Sequence, residues 1–102
     1  MVSDSPKTIV WNPLALDDYH GIIEYLLEAW SPTEAIGFIS DVDSVLKNLE
    51  TGVVRFKLCD YRNVRQCVIC KQVTLYYFEN ENNQIELLRF WNTYQDNANL
   101  GL

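Results

Sequence analysis

The chain has 102 residues, 48% of them hydrophobic and 22% charged, with a formal net charge of −6. This length predicts one domain over residues 1–102, and the apolar fraction excludes wholesale disorder. No run reaches the roughly 20 apolar residues needed to cross a bilayer. Because residues 1–6 lack the basic and apolar segments of a secretion signal, we expect a cytoplasmic protein that does not bind membranes.

The N-terminal half predicts one strand followed by two helices. Residues 7–11 are a short β-rich run, and Asn12, which precedes a proline, is a typical helix N-cap. Ser31 precedes a proline and stands three residues before a glutamate, which predicts the start of a second helix that Gly52 ends. Apolar residues recur at three- and four-residue steps in both segments. Since almost nothing separates the two helices, we expect an antiparallel helical hairpin.

After Gly52 the apolar period changes to two, which predicts strands over residues 54–58, 64–70, 73–79 and 84–91. This order is typical of the α+β class, with an N-terminal strand and a helical hairpin on one face of a four-strand antiparallel meander. The last two strands are apolar at nearly every position, as in strands covered on both faces. Without a third helix, we expect a partner or a second copy of the chain to cover the other face.

The three cysteines predict packing rather than a redox or zinc site. Their odd number argues against a disulfide framework. Cys67 and Cys70 match a C-x-x-C pattern, but residues three apart on a strand point to opposite faces. Cys59 lies in a predicted turn, and the only histidine, His20, lies in the first helix. We therefore predict no metal and no cofactor.

The charge is unevenly distributed along the chain. Residues 1–51 hold nine acids and two bases, whereas residues 53–71 hold five bases and one acid. Phosphate binding needs a basic surface, and an acidic protein is repelled by nucleic acid. The basic segment is therefore either a phosphate-binding surface or a solvated strand face that discourages aggregation.

Local strings of the sequence occur in a particular order and spacing: Ile9-Val10-Trp11-Asn12-Pro13, Ser31-Pro32-Thr33-Glu34-Ala35, Val68-Ile69-Cys70-Lys71, Leu75-Tyr76-Tyr77 and Phe90-Trp91-Asn92-Thr93-Tyr94-Gln95. Together they resemble the RelE/ParE superfamily of toxins from bacterial type II toxin–antitoxin systems, which includes plasmid stabilisation proteins. The resemblance covers nearly the whole chain. The last string is similar to a closing Phe-Trp-Asp-Thr-Arg-Gln pattern in one subgroup.

The resemblance implies a toxin that a cognate antitoxin holds inactive by wrapping it with an extended or helical tail. RelE-like members are metal-independent endoribonucleases that cut mRNA, usually on the ribosome, and ParE-like members poison DNA gyrase. Because both groups share one fold, the fold does not choose between them. A third hypothesis is a degenerate member that binds a partner without toxic or catalytic activity. A homodimer also stays open.

Cleavage of mRNA needs a base, an acid and cations beside the reacting phosphate. Carried over by position, the resemblance assigns the catalytic candidates Arg62, Arg65, Lys71, Arg89 and Tyr94. The resemblance is the only basis for these roles, since the spacing of these five residues in the sequence does not define a catalytic site.

Each assignment has a structural alternative. Tyr77 and Trp91 are candidate partner-binding residues, and either is otherwise a core aromatic. Arg89 stands between apolar neighbours, so it needs a ligand or a buried ion pair with a helix carboxylate. Tyr94 replaces an arginine of the subgroup pattern, which removes a phosphate-binding cation. That change and the acidic net charge disfavour cleavage, whereas gyrase poisoning needs no catalytic constellation.

Overall fold

The computed structural model describes residues 6–52 and 63–92. Its elements are β1 (Thr8–Trp11), α1 (Pro13–Ala29), α2 (Pro32–Thr51), β2 (Arg65–Cys70), β3 (Val73–Glu79) and β4 (Gln84–Asn92). The strand predicted over residues 54–58 lies outside the described residues, as does Cys59. The remaining predicted strands and both helices are confirmed.

Both helices begin at their predicted caps because side chains accept hydrogen bonds from N–H groups that have no partner within the helix. The Asn12 Oδ1 atom accepts the N–H of Leu14 at 2.9 Å. The Ser31 Oγ atom accepts the N–H of Glu34 at 3.3 Å. Gly52 ends α2 in the left-handed conformation, with φ of 76°, and its N–H bonds back to helix carbonyls. These local signals define where the helical hairpin starts and stops.

Within the described residues, four strands form one sheet in the order β1–β4–β3–β2. The last three strands are antiparallel neighbours, as predicted. β1 instead runs parallel to β4, with Ile9 opposite Ile85 and Trp11 opposite Leu87. The α+β class is therefore confirmed, and the sheet is mixed, with β4 hydrogen-bonded on both sides.

An irregularity in β2 corrects the prediction that Cys67 and Cys70 point to opposite faces. The pairing register shifts between Val68 and Cys70, so that Cys67 stands opposite Leu75 and Cys70 opposite Val73. An extra residue in one strand reverses the alternation beyond it. Both thiols consequently contact the core on one side of the sheet. Cys67 is 2% exposed, which agrees with the predicted packing role.

The helical hairpin packs on one face of the sheet, with α1 against β4 and α2 crossing from β2 to β1. Apolar stripes of both helices and alternate residues of the strands form one core. Its buried members include Ala15, Ile22, Leu26, Ala35, Phe38, Val42, Leu49, Val73, Leu75, Tyr77, Ile85, Leu87 and Phe90.

An aromatic cluster joins the first strand to the helices and to the last strand. The Trp11 ring centre lies 5.1 Å from that of Tyr19 and 5.6 Å from that of Phe90. The Tyr19 ring also lies 5.6 Å from the Phe38 ring of α2. Aromatic pairs at these separations contribute beyond the area that they bury. The cluster therefore fixes β1, α1, α2 and β4 to one another.

Candidate functional site

Arg65 and Lys71, two of the cations predicted from the sequence, lie at different places in the described part of the chain. Arg65 is the first residue of β2 and is half-buried, whereas Lys71 is exposed in the turn after that strand. At about 3.3 Å per residue, six strand residues separate their backbones by about 20 Å. Arg89 lies on β4 opposite Tyr76 of β3. Arg65 and Lys71 therefore stand at different places on the sheet.

Asp18 of α1 holds the guanidinium of Arg89. The Arg89 Nε atom donates to Asp18 Oδ2 at 2.7 Å, and Nη2 donates to Oδ1 at 3.1 Å. Both side chains are 18% exposed, so the ion pair is largely removed from water. The hydrogen bond to Asp18 raises the pKa of Arg89, aided by charge attraction, while burial opposes that rise. Of the two alternatives for Arg89, the structure contains the ion pair with a helix carboxylate.

The position of Asp18 follows from where β1 ends. The N–H of Asn12 donates to the Leu87 carbonyl at 3.1 Å, and α1 begins immediately afterwards. Farther along β4, Asp18 Oδ2 accepts the backbone N–H of Phe90 at 3.1 Å. At this point of the β4 edge, the Asp18 side chain thus supplies the hydrogen-bond acceptor that a neighbouring strand would otherwise provide. The sequence predicted a helix carboxylate as one of two alternatives for Arg89, but it did not identify Asp18, because the partners are 71 and 72 residues apart.

Lys71 lies beside carboxylates rather than in a cationic cluster. It lines a cavity of about 240 Å³ between α2 and the β2–β3 turn, together with Glu34, Asp41 and Cys70. Two nearby acids repel an approaching phosphate. The surroundings of Lys71 therefore favour contact with a polar or positively charged group.

The two aromatic residues predicted to bind a partner are buried in this chain. Tyr77 is 0% exposed and Trp91 is 9% exposed. Tyr77 is therefore a core aromatic in this chain, the structural alternative given for it, and the partner-binding roles of both residues stay predictions. Arg62 and Tyr94 lie outside the described residues, and their predicted roles stay predictions.

The exposed apolar surface lies on the helices, which differs from the expected uncovered sheet face. Thr74, Tyr76 and Phe78, on the far face of β3, are half-buried. Among the described residues, the exposed large apolar side chains are Leu14, Leu16, Tyr25, Leu27, Trp30, Ile36 and Val68. Six of these seven belong to α1, α2 or their connection. Sequence reasoning missed this surface because the same stripes were assigned to the core.

A groove between β1 and α2 was also missed from the sequence. It encloses about 500 Å³ and has Ile9, Trp11 and Leu46 among its apolar lining residues. Asp43 and Glu50 of α2 contribute acidic groups to its lining. Burial, and to a smaller extent the negative charge of Asp43, raise the pKa of Tyr19. Lys47 also lines the groove, which therefore combines apolar side chains with charges of both signs.

The Cys67 thiol and the acidic side chains of the described segments bear on nucleophilic and metal chemistry. Burial raises the pKa of Cys67 to about 11, so its thiol stays protonated at neutral pH. Within residues 6–52 and 63–92, no three His, Cys, Asp or Glu side chains are grouped to hold a metal ion. Over the same residues, no helix is long and apolar enough to cross a membrane.

Residues 9–97 match the family described as the ParE toxin of the type II toxin–antitoxin system parDE. The match spans most of the sequence and includes all the described strands but the first residue of β1. The chain belongs to this family, and it is a type II toxin–antitoxin toxin. No curated protein sequence matches it.

Solved structures share the fold. A chain of the chromosomal ParDE TA system from P. aeruginosa is 16% identical, with a TM-score of 0.72 over 88% of this chain and 98% of its own. A YoeB/ParE toxin from Agrobacterium tumefaciens is 13% identical, with a TM-score of 0.60 over 83% and 96%. A chain of the YoeB–YefM complex from Staphylococcus aureus is 14% identical, with a TM-score of 0.57 over 83% and 94%. These similarities confirm the RelE/ParE fold.

Proposed function

We propose that this toxin arrests bacterial growth by inhibiting DNA gyrase, and that a cognate antitoxin keeps it inactive. The observation that carries the proposal is the separation of the cations that mRNA cleavage would need. Arg65 and Lys71 stand at opposite ends of β2, and Arg89 is bound by Asp18. A gyrase inhibitor requires a protein-binding surface and no catalytic constellation.

The electrostatics of the candidate cations support the same choice. Stabilising a reacting phosphate requires positive groups aimed at the developing charge. The two hydrogen bonds to Asp18 occupy part of the Arg89 donor fork, and the Asp18 charge offsets the guanidinium charge. Lys71 shares its cavity with Glu34 and Asp41. Neither cation is presented as a phosphate-binding group.

The whole-chain charge also favours a protein target over a ribosomal one. A net charge of −6 gives an unfavourable long-range interaction with ribosomal RNA. Family membership adds support, since the matching family is named for ParE rather than for an mRNA-cleaving relative. In this proposal the toxin acts in the cytoplasm, where gyrase works on chromosomal DNA.

The test is to induce the wild-type chain and Arg65→Ala/Lys71→Ala in a bacterial host, with protein levels and folding checked. We expect both proteins to arrest growth, because neither residue has a catalytic task in gyrase inhibition. Purified wild-type protein should inhibit supercoiling by gyrase and leave mRNA on ribosomes intact. Val68→Ser is a matched surface control, since Val68 is 69% exposed on the same strand as Arg65.

Two results would change the assignment. Cleavage of ribosome-bound mRNA by the wild type, lost in the double variant, would replace gyrase inhibition with the ribonuclease hypothesis. Abundant folded protein that neither arrests growth nor alters supercoiling would favour the degenerate, partner-binding member instead.

A further inference from the structure

The outer edge of β1 is open within the described residues. β1 stands at the end of the strand order, so its only sheet neighbour there is β4. The N–H groups of Thr8 and Asn12 donate to carbonyls of β4 and of the residue before it, at 3.1 Å each. In a parallel pair, residues that bond to the neighbouring strand alternate with residues whose N–H and C=O groups point away from it. The backbone groups of Ile9 and Trp11 therefore point to the open edge.

The open edge is short and has defined ends. At its start, the N–H of Lys7 donates to the carbonyl of Glu50 in α2 at 2.7 Å, so that donor is already used. At its end, α1 begins at Pro13, which has no N–H to donate. Between these limits, Ile9 and Trp11 offer two donors and two acceptors. An occupant must therefore be a short extended segment with the complementary pattern.

A groove beside the open edge leaves room for such a segment. It lies between β1 and α2, encloses about 500 Å³ and has Ile9, Trp11 and Leu46 in its lining. Ile9 and Trp11 are half-buried and pack against the core. Because side chains alternate along a strand, Val10 lies on the opposite face of the sheet. The open edge thus presents backbone groups with apolar side chains beside them.

The charges at this edge differ from those of the rest of the N-terminal half. Residues 1–51 contain two bases, and both lie here, since Lys7 precedes β1 and Lys47 lines the groove. The same lining contains Asp43, four residues before Lys47, and Glu50, three residues after it. A surface with both signs of charge is complementary to itself when a two-fold rotation reverses the helix direction. Two copies of the chain therefore repel each other less at this edge than at the acidic remainder of residues 1–51.

We propose that the open edge of β1 pairs with the same edge of a second copy of the chain, in antiparallel register about a two-fold axis. In this register Val10 of one copy lies opposite Val10 of the other, and Ile9 of each copy lies opposite Trp11 of the other. The opposed Ile9 and Trp11 residues exchange both of their N–H···O bonds. Since each copy supplies two donors, the pair forms about four hydrogen bonds, and two four-stranded sheets join into one.

The register is what favours a second copy as the occupant. Lys7 of one copy falls opposite Pro13 of the other, so the donor that is already used and the donor that is missing belong to the same pair. The ladder therefore stops at both ends without leaving an N–H unpaired. The contact closes on itself, because each copy uses its β1 edge once, and the short edge with nearby lysines does not extend into an aggregate. This inference does not use the gyrase target, so the supercoiling assay and the tests of the dimer fail separately.

Amide hydrogen exchange, measured by NMR on the full chain at increasing concentration, tests the pairing directly. We expect the Ile9 and Trp11 amides to exchange fast in dilute solution and to become at least about tenfold slower as the chain associates. The Thr8 and Asn12 amides, which bond on the β4 side, are internal controls and should be protected at every concentration. Sedimentation should show a monomer–dimer equilibrium over the same range, up to about 1 mM.

Charges at Val10 test the two-fold axis. Val10→Lys and Val10→Glu each place like charges opposite each other, so each variant alone should stay monomeric. An equal mixture places lysine opposite glutamate, and association should return as a heterodimer that weakens as salt increases. Val68→Lys and Val68→Glu, at an exposed position on β2, are the matched controls and should associate like the wild type. Thermal unfolding checks that each variant is folded, and the exchange experiment needs no variant.

Four outcomes overturn the dimer proposal. Protection of the Ile9 and Trp11 amides in the dilute monomer would show that the edge is filled within one chain. A wild-type chain that stays monomeric up to about 1 mM would remove the second copy as the occupant. Association that persists in Val10→Lys alone and in Val10→Glu alone would place the interface elsewhere. Exchange that slows only when another protein is added would assign the edge to a foreign strand.

Discussion

Asp18 binds Arg89 through two hydrogen bonds of 2.7 and 3.1 Å, although 71 residues separate them. The same carboxylate accepts the backbone N–H of Phe90. One helix side chain therefore satisfies three donors at the edge of the last strand. This arrangement gives Arg89 a structural role in joining α1 to β4, and it explains how a charge is tolerated in an apolar strand.

Replacing Asp18 should destabilise the protein. Asp18→Ala leaves the Arg89 guanidinium and the Phe90 N–H without their acceptor, and hydrogen bonds to charged groups contribute about 1.5–3 kcal/mol each. We expect the free energy of unfolding, measured with urea, to fall by about 2–3 kcal/mol. Asp17→Ala, at the adjacent exposed position, is the matched control. Equal stability of the two variants would show that the ion pair contributes little.

Two glycines in the helical hairpin should respond oppositely to alanine. A Cβ atom at Gly21, inside α1, or at Gly52, after α2, would meet no atom within 4 Å, so only the backbone conformation differs. Gly21→Ala should raise the free energy of unfolding by about 0.5–1 kcal/mol, because alanine is the better helix former. Gly52→Ala should lower it by about 1 kcal/mol, because φ is +76° there. Thermal melts of both variants test this; a gain from Gly52→Ala would contradict the assigned cap conformation.

The buried Cys67 thiol should make stability fall in alkaline solution. Burial raises its pKa from 9.0 to about 11, so between these values the unfolded chain has released a proton that the folded chain keeps. Stability from this group is complete below pH 9 and is lost as pH rises towards 11, by about 3 kcal/mol at most. The raised pKa of Tyr19 acts in the same direction at higher pH. When the free energy of unfolding from urea titrations is plotted against pH over this range, the wild type should fall more steeply than Cys67→Ala. Parallel plots for the two proteins would contradict the prediction.

The cap of the second helix should be sensitive to loss of one oxygen atom. Ser31→Ala removes the acceptor for the Glu34 N–H and should lower stability by about 1 kcal/mol. Ser31→Asp supplies another acceptor and should retain most of that stability. Thr33→Ala, at an exposed position two residues farther along, is the control. A thermal melt that ranks Thr33→Ala below Ser31→Ala would contradict the capping assignment.

The features predicted correctly from the sequence are those that depend on residues close together in the chain. The caps at Asn12, Ser31 and Gly52 are local hydrogen-bond motifs, and the three antiparallel strands follow one another with short turns. Pairing of β1 with β4 was not predicted, because it joins Ile9 to Ile85 and leaves no mark in local periodicity. The irregularity in β2 likewise arises from pairing, so the alternation rule misplaced Cys70.

The candidate site was less predictable than the fold. Resemblance supplied Arg65, Lys71 and Arg89 by position, but it carried no information on the carboxylates that accompany two of them. Asp18 and Glu34 come from distant segments and are brought in by packing. The exposed apolar side chains of α1 were also missed, because Leu16, Leu27 and Trp30 have the same helical spacing as core residues and only their exposure distinguishes them.

Because β1 pairs within the described residues only with β4, the order of synthesis constrains when the toxin can fold. The first strand leaves the ribosome early, but its hydrogen-bonding neighbour, residues 84–92, is made after all the other described elements. Trp11 and Asp18 also wait for Phe90 and Arg89. A nascent chain that stops before β4 therefore lacks a central strand of its sheet. Translation must pass residue 92 before the folded toxin can exist, either to harm the cell or to be recognised by its antitoxin.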